Sequence, residues 1–219
     1  VKKTVYLWVA MGVMFVGSAQ AQEIFLQGGT QGAGIGAAVS FNSMLGAHVD
    51  FNAINLSHNF SFGGNRYQDD IRLRQGGIYA DIFPLRDCGF RTTAGARFSD
   101  DELSGTSVPT NGTYTFAGRK VRALPGMYAV AKARYPTVMP YFGIGYGHRP
   151  ESKGFGFIAD LGVAYGIPKS SYTLSPQLAA RVGPVNSQLI ATNGLQQLRS
   201  EMSRYRWYPV IQIGVSYRF

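Results

Sequence analysis

The last fifteen residues, YRWYPVIQIGVSYRF, restrict the fold more than any other part of the chain. Tyr205, Trp207, Pro209, Ile211, Ile213, Val215, Tyr217 and Phe219 share one parity. Arg206, Tyr208, Val210, Gln212, Gly214, Ser216 and Arg218 share the other. Successive side chains of a strand point to opposite faces. One face is therefore apolar or aromatic throughout, while the other carries two arginines, a glutamine and small residues. An apolar exterior edged by aromatics, set over a polar interior, is the pattern of a transmembrane β-barrel strand.

The amino terminus suits the same compartment. Lys2 and Lys3 precede a nearly unbroken apolar run from Val5 to Val16, and Ala19-Gln20-Ala21 follows as an A-x-A site. This reads as a secretory signal peptide over residues 1–21, with the mature barrel over 22–219. Removing the two lysines lowers the formal net charge of +9 by two. The apolar run is shorter than the roughly 20 residues of a spanning helix. Residence in a membrane must then come from strands.

Composition agrees. Glycine accounts for 28 of 219 residues and aromatics for 13%, yet mean hydropathy is only -0.05. Alternating faces average to near neutrality even in lipid. Cys88 is the only cysteine, so no intrachain disulfide or cysteine-based metal site can form, and no cofactor motif occurs. The basic residues are scattered singly through strands instead of forming a stripe, which argues against nucleic acid. They fit acidic lumen groups or the phosphates of lipopolysaccharide.

Seven further strands are predicted before the closing one. The first runs from about Ile24 to Phe41 and alternates Ile35, Ala37 and Val39 with inward glycines. Asn42-Ser43 reads as a turn. The second, about Leu45 to Phe62, sends His48, Asp50 and Asn52 inward. The third, about Gln68 to Phe83, sends Tyr79 and Asp81 inward; Ile71 and Leu73 are out of phase with Ile78, Ala80 and Ile82, which predicts a bulge at Gly76-Gly77. The fourth, about Gly89 to Asp101, sends Arg91 and Arg97 inward, and a polar loop over about Glu102 to Gly112 follows. The fifth lies within Thr113 to Arg134, with Lys132 and Arg134 inward. The sixth covers about Pro140 to His148, and the seventh about Gly154 to Leu174 with Asp160 inward. Leu189, Leu195, Leu198 and Met202 recur at helical spacing within Val185 to Arg204 and predict a short helix before the last strand.

The expected fold is thus all-β, an eight-stranded antiparallel outer-membrane barrel, the size whose interior side chains just fill. One point conflicts with it. With both termini in the periplasm, the first, third and fifth connections should be external and long, but they read as short.

Four segments, FPLRDCGFRTTAGARFSDDELSG, MPYFGIGYG, KGFGFIADLGVAYGIPKSSYTLS and LRSEMSRYRWYPVIQIGVSYRF, resemble the CarO-type outer-membrane barrels of Gram-negative bacteria. Those chains have a similar PYLG-F segment, a glycine-framed strand leading into a PK-containing extension, and a Y-x-W-x-P-V closing strand. The resemblance covers most of the mature chain in order and is sharpest from Met139 to Phe219. The N-terminal strand and the region from Glu102 to Gly126 are similar only in kind. The resemblance implies a monomeric eight-stranded barrel connected with passage of small solutes such as basic amino acids and certain antibiotics. It supplies no catalytic motif and no agreed binding residues. A terminal aromatic such as Phe219 is also what the outer-membrane insertion machinery of such bacteria reads.

The candidate site is the lumen, with His48, Asp50, Asp81, Arg91, Arg97, Lys132, Arg134, Asp160, Arg206, Gln212 and Arg218 pointing inward. Buried charges must be paired or solvated. Two readings follow: an Arg/Lys–Asp network that fills the lumen and has a structural role, or a wet path for passive passage of small solutes. The basic excess in this set weighs against a path tuned for cations. If the arginines plug a path, Arg97→Ala or Arg134→Ala should raise conductance. Two alternatives belong to other classes. A lipid A-modifying enzyme would need a serine beside His48, His58 or His148, with Ser40, Ser57, Ser61 and Ser152 close in sequence; no nucleophile elbow, Walker loop or zinc spacing is present. A surface-loop adhesin or receptor would use the connections over Glu102–Gly126 and Ser175–Arg204. The expected partners are outer-membrane lipid, lipopolysaccharide and the insertion machinery.

Overall fold

The computed structural model of the chain describes residues 20–85, 88–116, 118–148 and 153–219, leaving aside the side chains at 20–22, 57–60, 62 and 69–71. Most of the expected signal peptide and Ser152 lie outside the described residues, as does the side chain of His58.

Thirteen strands are described: β1 Gln20–Gly29, β2 Gly32–Ser40, β3 Leu45–Phe62, β4 Asn65–Ile82, β5 Phe90–Ser99, β6 Glu102–Val108, β7 Thr113–Phe116, β8 Arg119–Arg122, β9 Ala129–Arg134, β10 Val138–Tyr146, β11 Gly154–Tyr165, β12 Lys169–Leu174 and β13 Trp207–Arg218. Two helices, α1 Pro176–Val182 and α2 Pro184–Met202, precede β13. Eight of the strands close a barrel in the order β1-β2-β3-β4-β5-β10-β11-β13, and β13 pairs back onto β1. All its pairings are antiparallel.

Alternation builds the wall. On β13, Trp207, Ile211, Ile213 and Val215 are exposed, whereas Val210, Gln212, Ser216 and Arg218 are buried. Ile24, Leu26, Ile35, Phe51, Ile78, Phe142, Phe157 and Leu161 complete an exposed apolar belt around the outside. Inside, glycines make room for the large side chains: a Cβ at Gly36 would enter the Phe25 ring, and one at Gly143 or Gly162 would enter Tyr141.

The walls have unequal height. Above Arg74, β4 leaves β5 and pairs with β6; β6 pairs with β9, and β9 with β12. Parity is kept throughout, so Tyr67, Ala129, Ala131 and Tyr172 face the same interior as the lumen residues below them. This extension is lined by apolar groups. The helices and the β7–β8 hairpin pack into it, with Tyr114, Phe116, Leu178, Ile190 and Leu198 forming one core with the wall. Ser175 caps α1: its hydroxyl accepts from the Leu178 N–H at 3.2 Å and from the Tyr128 N–H at 3.1 Å.

Several expectations change. The segment read as one strand from Ile24 to Phe41 is a hairpin, β1–β2, whose two residues Thr30 and Gln31 make the turn. The fifth predicted strand is no part of the barrel; Thr113 to Arg134 forms the β7–β8 hairpin and β9. The two errors compensate, and the barrel count remains eight. The polar loop at Glu102–Gly112 is mostly strand β6. No bulge interrupts Gly76-Gly77, because β3 and β4 pair without a shift from Leu45↔Ile82 to Phe62↔Asn65. Leu73 is apolar and inward because the interior changes from polar to apolar at that height, not because the strand changes phase. The β3–β4 turn is Gly63-Gly64, both at positive φ (57° and 81°), which suits a two-residue hairpin loop.

The conflict over loop lengths disappears with the corrected strands. The connections after β2, β4 and β10 leave the barrel at the end where β1 starts and β13 finishes. Those at 30–31, 63–64, 100–137 and 166–206 lie at the other, which holds the long ones.

Candidate functional site

The lumen is filled in layers. At the end near the termini, Glu23 Oε2 accepts from Arg218 Nε at 3.0 Å and Nη2 at 2.6 Å, while Arg218 Nη1 donates to Ser40 Oγ at 3.0 Å. The other Glu23 oxygen meets His148 Nδ1 at 2.7 Å. His148 sits at φ 55°, an uncommon backbone for a non-glycine residue, and is held there by the contact with Glu23 and by the Phe25 ring at 4.7 Å.

The middle layer centres on Asp81. It meets His48 Nδ1 at 2.6 Å, accepts from Thr93 Oγ1 at 2.6 Å, and lies 3.2 Å from Arg91 Nε. Arg91 reaches across to Asp160 at 2.5 Å, but its Nη1 has no partner among the described residues. The His48 ring stacks on Tyr79 at 4.5 Å.

Above it, amides take over. Gln27 Nε2 donates to Asp50 Oδ2 and Asn52 Oδ1, both at 2.9 Å, and Gln212 Nε2 donates to Asn52 Oδ1 at 3.1 Å. Arg97 makes no ion pair among the described residues. It lies 5.3 Å from the centre of the Tyr208 ring, and the Gln31 amide, turned with its oxygen toward it, accepts from Nη2 and Nη1 at 2.8 and 2.9 Å. At the top rim Gln75 donates to Asp101, which also accepts from the Arg74 N–H at 3.2 Å. Burial raises the Asp101 carboxyl to about 6, against the opposing pull of the Arg74 N–H, the Arg97 charge and the Gln75 amide.

Of the residues expected inside, His48, Asp50, Asp81, Arg91, Arg97, Asp160, Gln212 and Arg218 point into the lumen. Lys132 and Arg134 do not. They stand on the exposed face of β9 in the extension, paired with Glu102 at 3.2 Å and Asp100 at 3.0 Å. Their parity was inverted because β9 turns alanines, not its polar residues, toward the interior. Arg206 is also outside, in the turn before β13, where its Nε donates to the Ser203 carbonyl at 2.9 Å.

Sequence reasoning missed Glu23, His148, Gln31 and Asp101. Gln31, Asp101 and His148 sit in connections between strands, whereas Glu23 lies inside β1. In β1 the consecutive apolar residues Ile24, Phe25 and Leu26 hide the alternation that would have sent Glu23 inward. With these residues placed, the charge balance reverses. Carboxylates Glu23, Asp50, Asp81 and Asp160 stand in the lumen against guanidiniums Arg91, Arg97 and Arg218.

His48 and His148 each present Nδ1 to a carboxylate, as an acid–base histidine does. However, no hydroxyl bonds to Nε2 of either among the described residues, and His148 Nε2 is buried without a partner. Ser40 is taken by Arg218.

No protein-family model and no curated protein sequence matches the chain. Solved structures with the same fold include Acinetobacter baumannii CarO2, 21% identical over 93% of this chain and 100% of that one with a TM-score of 0.62. Another is Acinetobacter baumannii CarO, 17% identical over 92% and 98% with a TM-score of 0.56. The chain therefore has the fold of these outer-membrane barrels.

Proposed function

We propose that this protein is an outer-membrane barrel with a closed lumen, whose membrane part has a structural role and holds the sheet–helix extension at the outer surface. The observation that carries this is the filling of the middle lumen. Arg91, Arg97 and Asn52 have 0% exposed surface, and Asp81 and Gln212 only 1% and 2%. Side chains buried to this degree leave little room for water at that level, and displacing a charged member strands its buried partner.

The exposed apolar belt supports residence in lipid. Lipopolysaccharide is the fitting neighbour at the level of the exposed Lys132, Arg134 and Arg206, and the aromatic-ended β13 is the strand for insertion machinery to recognise.

Planar-bilayer conductance and liposome swelling with the purified, folded protein test the closed lumen. No steady conductance and no solute-dependent swelling are expected. Sustained conductance, or swelling with amino-acid-sized solutes, would overturn the structural role in favour of passive small-solute passage. The polar filling favours that second reading, and the carboxylate excess then requires cation selectivity, contrary to the sequence expectation.

A further inference from the structure

A second concave site lies in the extension, away from the lumen. A half-enclosed cavity of about 150 Å³ opens between the β3–β4 turn, the β7–β8 hairpin and α2. Its floor is aromatic: the Tyr67 and Tyr172 hydroxyls meet at 2.9 Å, and Phe116 closes one side. Its wall is fixed. The two amide atoms of Asn65 are both occupied by the Thr115 backbone, Nδ2 donating to the carbonyl at 2.5 Å and Oδ1 accepting from the N–H at 2.7 Å. This clamps the hairpin to the end of the barrel wall. On the other side, Gly194 lets α2 lie directly against the Tyr172 ring, 2.6 Å from where a Cβ would stand.

The remaining groups point to a ligand class. Asn193 and Gln197 line the cavity from α2, and neither side-chain amide makes a hydrogen bond among the described residues. Gln197 Oε1 lies 3.1 Å from the position a Cβ on Gly63 would take. Among the described residues no charged side chain lines the cavity, although Arg119 and Lys120 stand exposed on the same hairpin. An ion entering it would lose water without gaining a counter-charge. A ligand that suits it has an apolar face for the aromatic floor and neutral hydroxyls for the amides. The volume is below the roughly 300–1,000 Å³ of drug-sized pockets, so one ring fits. The mouth is at the end of the long connections.

We infer that this cavity binds one neutral sugar ring, either free or as a terminal unit of a surface glycan. The inference is independent of whether the lumen conducts.

Saturation-transfer NMR on the full, folded protein, held in a detergent without a sugar headgroup, tests it. Neutral hexoses and N-acetylhexosamines are compared with lysine, glutamate and a sugar phosphate, each at about 10 mM to reveal millimolar affinity. Ring protons of at least one neutral sugar should receive saturation. Asn193→Ala with Gln197→Ala should weaken binding at least tenfold while the barrel keeps its heat-modifiable mobility. Gln197→Trp, which fills the mouth from an exposed position, should abolish binding even if the double variant fails to fold. Stronger binding of a lipopolysaccharide core oligosaccharide than of any monosaccharide would make the glycolipid the source, and the reverse would make it free sugar; either supports the site. No transfer to any neutral sugar, transfer unchanged in the folded variants, or equal transfer to the charged compounds would overturn it.

Discussion

Asp101 shows how the top of the lumen responds to protons. It follows β5 above the apolar belt, is fully buried, and accepts from the Gln75 amide and the Arg74 N–H. Burial raises its carboxyl to about 6 from an ordinary value of 3.8. Between those two values the folded state holds a proton that the unfolded state has released. The contribution of Asp101 to stability is therefore full below about pH 4 and is lost as pH rises through 6. About two units correspond to about 1–3 kcal/mol. Asp101→Asn keeps a neutral side chain at every pH. Thermal unfolding in detergent should show wild type losing stability relative to Asp101→Asn between pH 4 and 6. A difference independent of pH over that interval would show that the carboxyl is not buried as described. Its neighbour Arg97 illustrates why part of the lumen was legible and part was not. Arg91, Arg97, His48 and Asp81 lie within strands, where a parity of two places them. Gln31 and Asp101 lie in a turn and a strand junction, where parity has no meaning, yet Gln31 accepts from Arg97 and Asp101 feels its charge.

At the level of elements, the alternation rule held while the chemistry it was matched against changed. In the barrel, apolar means outside. In the extension, the inner face packs on helices and apolar means inside. This inversion produced the expected bulge at Gly76-Gly77, the inward assignment of Lys132 and Arg134, and the misplaced fifth strand, all within the segments that rise above the belt. The helical spacing of Leu195, Leu198 and Met202 was read correctly because it depends on period alone: Leu198 is buried, and Leu195 and Met202 pack on the same core, whereas Leu189, expected with them, is exposed. Gly194 stands inside this helix for a tertiary reason. Replacing a mid-helix glycine by alanine ordinarily stabilises by about 1 kcal/mol. Here the new Cβ would stand 2.6 Å from a ring carbon of Tyr172, a ring buried and tied to Tyr67. Overpacking costs about 1–3 kcal/mol. Gly194→Ala should thus destabilise the extension by about 1 kcal/mol net, read as faster amide exchange in α2 and β12 with β13 unchanged. Slower exchange in α2 would show that the helix has room to move away from the wall.

At the scale of the molecule, the two ends differ. One holds the start of β1, the end of β13 and three short connections; the other holds the extension, both described helices and the long connections. Outer-membrane barrels keep short turns toward the periplasm and long loops outside, so the extension should face the medium. Cys88 makes this measurable. It is the only cysteine of the chain, and its side chain is exposed in the connection between β4 and β5, at the short-turn end. A membrane-impermeant maleimide added to intact cells should leave it unlabelled, and permeabilising the outer membrane should expose it. Moving the thiol to the opposite end, as Cys88→Ser with Lys120→Cys on the exposed face of the β7–β8 hairpin, should give labelling of intact cells without permeabilisation. Lys120 makes no ion pair among the described residues and the loss of one surface cation leaves the hairpin registers intact, so the variant should fold. Labelling of Cys88 in intact cells together with protection of the residue-120 thiol would invert the molecule, placing the aromatic-floored cavity and the exposed basic residues of the extension in the periplasm.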